Sequence, residues 1–139
     1  MDEIDGRSSV YVDTNIFIYF IEATPGMFER VVALLNHANR VGARLVTCEL
    51  TVAECLYKPH RDGDAELIAV YEKLFASGGV EITPLDGGLA RRAARHGGEL
   101  GLKLIDAIHY IAALEAGCDV FVTGDARFRS GPYMRVVGV

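Results

Sequence analysis

No apolar run in this sequence is long enough to cross a bilayer as a helix, so a membrane partner is not expected. The opening residues, Met1 to Arg7, are acidic and lack the apolar centre of a signal peptide, which makes the cytoplasm the expected location. Cysteine is scarce. Cys48, Cys55 and Cys118 are odd in number and scattered, which gives neither a disulfide framework nor zinc-ligand spacing, and their apolar neighbours point to reduced, buried thiols. Positive charge is in deficit: a net charge of −5 excludes a protein that grips nucleic acid by a global positive field, though not one with a local basic patch. Neither GxxxxGK[ST] nor GxGxxG occurs, so phosphate-loop and dinucleotide readings lack support. There is no GxSxG nucleophile elbow, and His37, His60, His96 and His109 form no HExxH pair. Internal repeats, low-complexity tracts and linkers are also missing.

What remains is one domain spanning 139 residues, half of them hydrophobic and 24% charged, ample for a core without staples. Residues 1–7 read as a flexible lead-in. Short strands rich in β-branched residues are expected at 9–12, 44–47, 80–82 and 119–122, with a fifth at 134–137. Helical spacing is expected from Thr14 onward, over 27–41, from 49 to 57 with a stop at Lys58 and Pro59, over 64–76, from 86 to 96 with a stop at Gly97 and Gly98, and over 103–116. Alternating helices with short strands, apolar on both faces, predict an α/β fold: three layers, α/β/α, around a short, mainly parallel sheet.

Against that background four acids stand out. Asp13 ends the apolar run Val10, Tyr11, Val12. Asp125 follows Val120 to Gly124. Asp106 interrupts an apolar helical stretch, and Glu54 lies between Ala53 and Cys55. Carboxylates in apolar company cost free energy unless something positive meets them. Each also has a plainer role: a helix N-cap for Asp13, a first-turn acid complementing the helix dipole for Asp106, a turn residue for Asp125, a surface position for Glu54. In open parallel sheets, sites form beyond the carboxyl ends of the strands, and Asp13 and Asp125 fall at that edge. Several carboxylates gathered there cannot all stay ionised without a cation, and hard oxygen donors suit Mg²⁺ or Mn²⁺. Such a site serves in-line phosphoryl chemistry. His109, one turn after Asp106, reads as a packing residue or as a hydrogen-bond partner of Asp106. Arg91, Arg92, Arg95, Lys103, Arg127, Arg129, Lys58 and Arg61 are placed to rim the acids and meet a phosphate backbone.

The motifs themselves look familiar. Val12-Asp13-Thr14-Asn15-Ile16-Phe17 resembles the opening motif of PIN-domain nucleases. The segment from Glu49 to Pro59, containing Glu54, resembles their second acidic block. Leu104 to His109 resembles the third, and Thr123-Gly124-Asp125-Ala126-Arg127-Phe128 the last. Their order, spacing and total length are similar to those of the VapC toxins of bacterial type II toxin–antitoxin systems, over nearly the whole chain. The resemblance implies a metal-dependent endoribonuclease in which a metal-activated water attacks phosphorus, leaving a 3′-hydroxyl and a 5′-phosphate. It implies Asp13 and Asp106 as the main ligands of Mg²⁺ or Mn²⁺, with Glu54 and Asp125 completing the acidic cluster. Asn15 and Thr123 become supporting, water-positioning groups. It also implies an RNA substrate, a homodimer, and a cognate VapB-like antitoxin whose C-terminal segment covers the site. Residues 16–20 and 28–35 are the expected contact surfaces. The last motif departs from the pattern in one place: Gly124 stands where an Asn or a second acid is often found, which bears on the ligand count at a second metal.

Two other readings compete. A haloacid-dehalogenase-like phosphatase also begins with a strand-end Asp, but its chemistry wants a second Asp two residues on, where Asn15 stands. A non-catalytic PIN-like domain that binds RNA or protein would not require all four acids.

Overall fold

The computed structural model describes residues 4–139. The elements run β1 (Ser9–Val12), α1 (Thr14–Ile21), α2 (Phe28–Val41), β2 (Arg44–Cys48), α3 (Glu49–Asp62), α4 (Ala65–Ala76), β3 (Glu81–Thr83), α5 (Gly87–Leu100), α6 (Leu104–Glu115), β4 (Val120–Thr123) and β5 (Arg135–Gly138). All five strands pair in parallel, in the order β3-β2-β1-β4-β5. The expected three-layer α/β/α architecture is therefore present, and the fifth strand is real.

Side-chain alternation along the strands divides the core into two layers. Tyr11, Val46 and Phe121 face α5 and α6, packing with Leu89, Ala93, Ala107 and Ile111. Val10, Val12, Leu45, Val120 and Val122 face the other way, packing with Ile16, Phe17, Val31, Leu34 and Tyr71 from α1, α2 and α4. Burial on both faces explains why these strands carry apolar runs rather than alternating polarity. Cys48, Cys55 and Cys118 are free thiols inside this core, as expected.

Three local expectations change. Residues 1–3 of the lead-in lie outside the described residues, but from Ile4 onward the segment is packed: Ile4 is buried and its carbonyl accepts a hydrogen bond from His37 Nε2 at 2.9 Å. Helix α3 does not stop at Pro59. The proline lies buried within its last turns, and the helix ends at Gly63 in the left-handed conformation. A proline so close to the end removes a single ladder bond, and its buried ring offsets the loss. Helix α5 likewise continues through Gly97 and Gly98 to a left-handed cap at Gly101. Gly97 is there for packing: a Cβ at this position would lie 2.9 Å from Ala107 Cβ, so its absence lets α5 and α6 approach closely.

The order of the strands places the site. The chain begins in the middle of the sheet at β1, builds outward to β3, then returns to the other side of β1 through β4 and β5. The direction reverses between β1 and β4, which opens a crevice beyond their carboxyl ends. Among the described residues, no helix is long and apolar enough to cross a membrane.

The close approach of α5 and α6 has a direct test. A helix-interior Gly→Ala exchange ordinarily stabilises by about 1 kcal/mol. Gly97→Ala is expected instead to destabilise by about 1–3 kcal/mol, because Ala107 Cβ cannot rotate away. Denaturant unfolding measures this, and a stabilised variant would contradict the packing described.

Candidate active site

Asp13 is the first residue beyond β1. Its backbone N–H donates to Val122 O at 3.0 Å, which extends the β1–β4 ladder by one step into the crevice. It is also the N-cap of α1, as its plainer reading held: Oδ1 accepts from Thr14 N at 2.8 Å. The second oxygen, Oδ2, accepts from the Thr123 hydroxyl at 2.6 Å. Asp13 is only 6% exposed. Burial pushes its pKa up, and the opposing pulls of His109, Thr123 and Thr14 do not fully restore it.

The supporting residues hold the crevice closed from both sides. Thr123, at the end of β4, donates to Asp13 and accepts from the Asp125 backbone N–H at 2.9 Å, so one hydroxyl ties the two acidic motifs together. Asn15 Oδ1 accepts from Gly124 N at 3.0 Å. Gly124, the departure from the family pattern, has a steric cause. A Cβ there would lie 2.6 Å from Tyr19 Cε2 and 2.8 Å from its hydroxyl, so Tyr19 fills the space that a side chain at 124 would need.

Glu54, on the second turn of α3, joins Asp13 through a basic bridge. Its Oε1 accepts from the Thr14 hydroxyl at 2.7 Å and from His109 Nε2 at 2.6 Å. His109 Nε2 is also 3.9 Å from Asp13 Oδ1. Burial alone would raise the Glu54 pKa, but the bonds from His109 and Thr14 outweigh it and the net shift is downward. Burial likewise works against a charged His109. Its contacts with Cys48 and Glu54 and the charge of Asp13 dominate, raising the imidazole pKa to about 10.

Asp106 and Asp125 meet through a second basic bridge. Asp106 sits in the first turn of α6, and its carboxylate is 3.5 Å from Arg127 Nη2. The same guanidinium grips Asp125: Nε lies 3.0 Å from each carboxylate oxygen and Nη2 lies 2.5 Å from Oδ2. The Arg127 backbone N–H adds a 2.9 Å bond to Asp125 Oδ1. Arg127 holds Asp125 below the usual carboxylate range despite the opposing effect of burial.

All four acids named from sequence thus belong to one network, running Glu54, His109, Asp13, Thr123, Asp125, Arg127, Asp106. They do not converge on one point: among the described residues, no three His, Cys, Asp or Glu side chains are arranged to hold a metal ion. Arg127 was expected on the rim, and it lies between two of the acids. His109 was expected to pack or to meet Asp106, and it turns toward the sheet, to Tyr11 and Glu54. The oxygen donors suit a hard divalent cation in type. At Asp106 and Asp125 a cation would compete with the Arg127 guanidinium. Of the remaining basic candidates, Arg92 pairs with Glu115 and Arg91 bonds to Gly87 O. Lys58 shares a cleft of about 260 Å³ with Glu54, Glu22 and Cys55.

The chain is thus a three-layer α/β protein with a carboxylate-rich crevice at the reversal point of its parallel sheet. The family model for the PIN domain matches residues 10–132, and the chain belongs to that family. Solved structures share its fold. VapC20 of Mycobacterium tuberculosis, a sarcin–ricin loop cleaving toxin, superposes with a TM-score of 0.75 at 15% identity, covering 92% of this chain and 98% of that one. The promoter-DNA-bound VapBC2 of Rickettsia felis gives 0.68 at 17% identity, covering 93% and 97%. The DNA-bound VapBC of Salmonella typhimurium gives 0.68 at 21% identity, covering 94% and 98%. None of the curated proteins compared with the chain matches it significantly.

Two expectations follow from these charges. The folded state holds a proton on Asp13 more tightly than the unfolded chain does, so its ionisation costs stability as pH rises from the ordinary Asp range through the raised folded value. Metal-free Asp13→Asn is therefore expected to be at least as stable as the wild type at neutral pH, with the gap closing on acidification. Thermal unfolding in EDTA measures both, and a clear loss of stability would contradict it. Arg127→Ala is expected to tighten Mn²⁺ binding severalfold, measured by calorimetry, because a competing cation is gone. Weaker binding would mean that Arg127 supports the site rather than competing for it.

Proposed function

We propose that this chain is a Mg²⁺- or Mn²⁺-dependent endoribonuclease that acts as the toxin of a toxin–antitoxin pair, forming a single catalytic unit over its whole length. The observation that carries the reading is the linked set Asp13, Asp125 and Asp106 at the sheet's reversal point, in a chain of the PIN-domain family. Fold similarity to a sarcin–ricin loop cleaving toxin and to two VapBC complexes supports it.

In this reading Asp13 and Asp106 would hold the metal, with Glu54 and Asp125 completing the acidic set. When bound, the cation supplies Lewis-acid activation of the phosphodiester and of a water molecule. The chain's own residues do the positioning. Thr14 N–H and the Thr123 hydroxyl fix both oxygens of Asp13, so its carboxylate cannot rotate away. Asn15 and Thr123 tie the Asp125 turn to β1 and α1. Arg127, once off its acids, would offer an incoming RNA phosphate a planar fork that suits that group.

The antitoxin and homodimer contacts belong to the same proposal, with one adjustment. Residues 16–20 and 28–35 divide between core and surface: Ile16, Phe17, Val31 and Leu34 are buried, while Ile18, Tyr19, Phe20, Phe28, Val32 and Leu35 remain partly exposed and keep these helices as candidate contact surfaces. Further exposed apolar side chains lie at Leu100, Leu104 and Ile105, beside Asp106, and at Tyr57, Val70, Leu85 and Tyr133. The phosphatase alternative is weakened further, since Asn15 is spent on the Gly124 backbone. The non-catalytic alternative predicts partner binding indifferent to chelation and no cleavage.

The test is cleavage of total RNA by the purified protein with Mg²⁺ or Mn²⁺, with end chemistry read at the new termini. Cleavage leaving 5′-phosphates is expected, abolished by EDTA and by Asp13→Asn or Asp106→Asn with the fold intact. Wild-type cleavage by both variants would sink the proposal.

A further inference from the structure

His109 is a buried polar side chain engaged through both ring nitrogens, and the four-acid reading of the site leaves it without a role. It projects from α6, is 2% exposed, and uses both ring nitrogens. Nε2 lies 2.6 Å from Glu54 Oε1, an acceptor in its ionised form, so Nε2 carries the proton there. Nδ1 lies 2.7 Å from the hydroxyl of Tyr11, on the central strand β1. That hydroxyl has a further partner, donating to Cys48 Sγ at 3.3 Å. A phenol has one proton. If it goes to Cys48, its oxygen accepts from Nδ1–H, and the ring donates from both nitrogens: Glu54 on one side, Tyr11 on the other.

The geometry around this ring is closed. Tyr11 is fully buried, stacked on Phe121 at 5.2 Å, and set edge-on to His109 at 5.8 Å. Neither ring can shift without disturbing the core layer against α5 and α6. Glu54 differs: its side chain is 35% exposed and comes from a helix that carries no other site acid in this network. Left to itself, a half-exposed glutamate would sample several rotamers. Two donors hold it, and both act on the same oxygen, Oε1. One is Thr14, the residue after Asp13. The other is His109, whose Nε2 also lies 3.9 Å from Asp13 Oδ1.

We propose that His109 is a positioning residue of the acidic site: anchored on Tyr11, it clamps Glu54 beside Asp13 and presents the two carboxylates as a preformed pair. The proposal rests on the ribonuclease reading but makes a claim of its own, that Glu54 is placed by a buried imidazole and not by α3 alone. The clamp also meets the repulsion between the two acids before any metal arrives. Tyr11 enters at one remove, by holding the ring.

The test is a double-mutant cycle with two readouts, Mn²⁺ affinity by electron paramagnetic resonance and the kcat for RNA cleavage. The variants are His109→Gln, Glu54→Gln and both together, with unfolding midpoints to confirm the fold. His109→Gln is expected to lower Mn²⁺ affinity or kcat by about 10–100-fold, the range typical of residues that orient a metal's ligands. In the Glu54→Gln background the same change is expected to add little, because the group through which His109 acts is already altered. Tyr11→Phe, which keeps the ring stacking, is expected to shift both readouts in the same direction by a smaller factor; it also serves if His109→Gln fails to fold. Equal effects of His109→Gln with and without Glu54 would overturn the clamp and leave only a general structural role. Unchanged affinity and kcat in both His109→Gln and Tyr11→Phe would overturn it as well. If the wild type binds Mn²⁺ but cleaves no RNA, the ribonuclease reading fails while the affinity cycle still decides the clamp.

Discussion

The rest of this structure is arranged around one costly act, the burial of the Asp13 carboxylate at the end of the central strand. The residue is the one step by which β1 outruns its ladder with β4, and its backbone is fixed by Val122. A charge in that position loses most of its hydration. Three elements answer it: the first turn of α1 through Thr14 N–H, β4 through the Thr123 hydroxyl, and α6 through the nearby His109 ring. Thr14 follows directly in sequence, but Thr123 and His109 are remote from β1. The carboxylate can sit there only once the sheet and two helices have assembled, which makes the site a product of the whole fold.

The other acids are handled by the same physics with different partners. Asp125 and Asp106 share the exposed Arg127, whose hold is screened by water and can be released. Glu54 and Asp13 share the buried His109, which cannot leave. The site therefore contains a fixed half and a releasable half. In that division Arg127 lies across Asp106 and Asp125 and competes with any cation for them, while Asp13 and Glu54 are held from within the core.

Much of this was legible in the sequence, and the missing parts share a cause. The strands announced themselves through runs such as Val10 to Val12 and Val120 to Val122, since parallel strands buried on both faces need such residues. The acids were visible because each interrupts an apolar segment. Their gathering at one edge depended on strand direction, which is legible as parallel, and on a strand order that only the assembled sheet supplies. Helix ends were read less well. Pro59 and Gly97 look like stops, but one is buried near a helix end and the other makes room for Ala107. His109 reads as a buried, satisfied residue and is one, but its partners differ from the Asp106 contact that spacing offers, and Arg127 lies closer in than the rim. Spacing along α6 puts His109 one turn from Asp106, yet that face of the helix turns to the sheet, where Tyr11 waits almost a hundred residues away in sequence. Nothing local to Arg127 distinguishes a rim cation from one lying across two acids. Gly124 looked like a weakened motif, and its reason, the ring of Tyr19, is likewise a contact across elements.

The central claim is that these carboxylates form a cation site completed when Arg127 withdraws. The most direct measurement is a crystal structure grown with Mn²⁺, with the ion located by its anomalous scattering. The account predicts a peak bonded to carboxylate oxygens of Asp13 and Asp106, with the Arg127 guanidinium displaced from Asp106. No peak at saturating Mn²⁺, or a peak elsewhere with Arg127 still across Asp106 and Asp125, would contradict it.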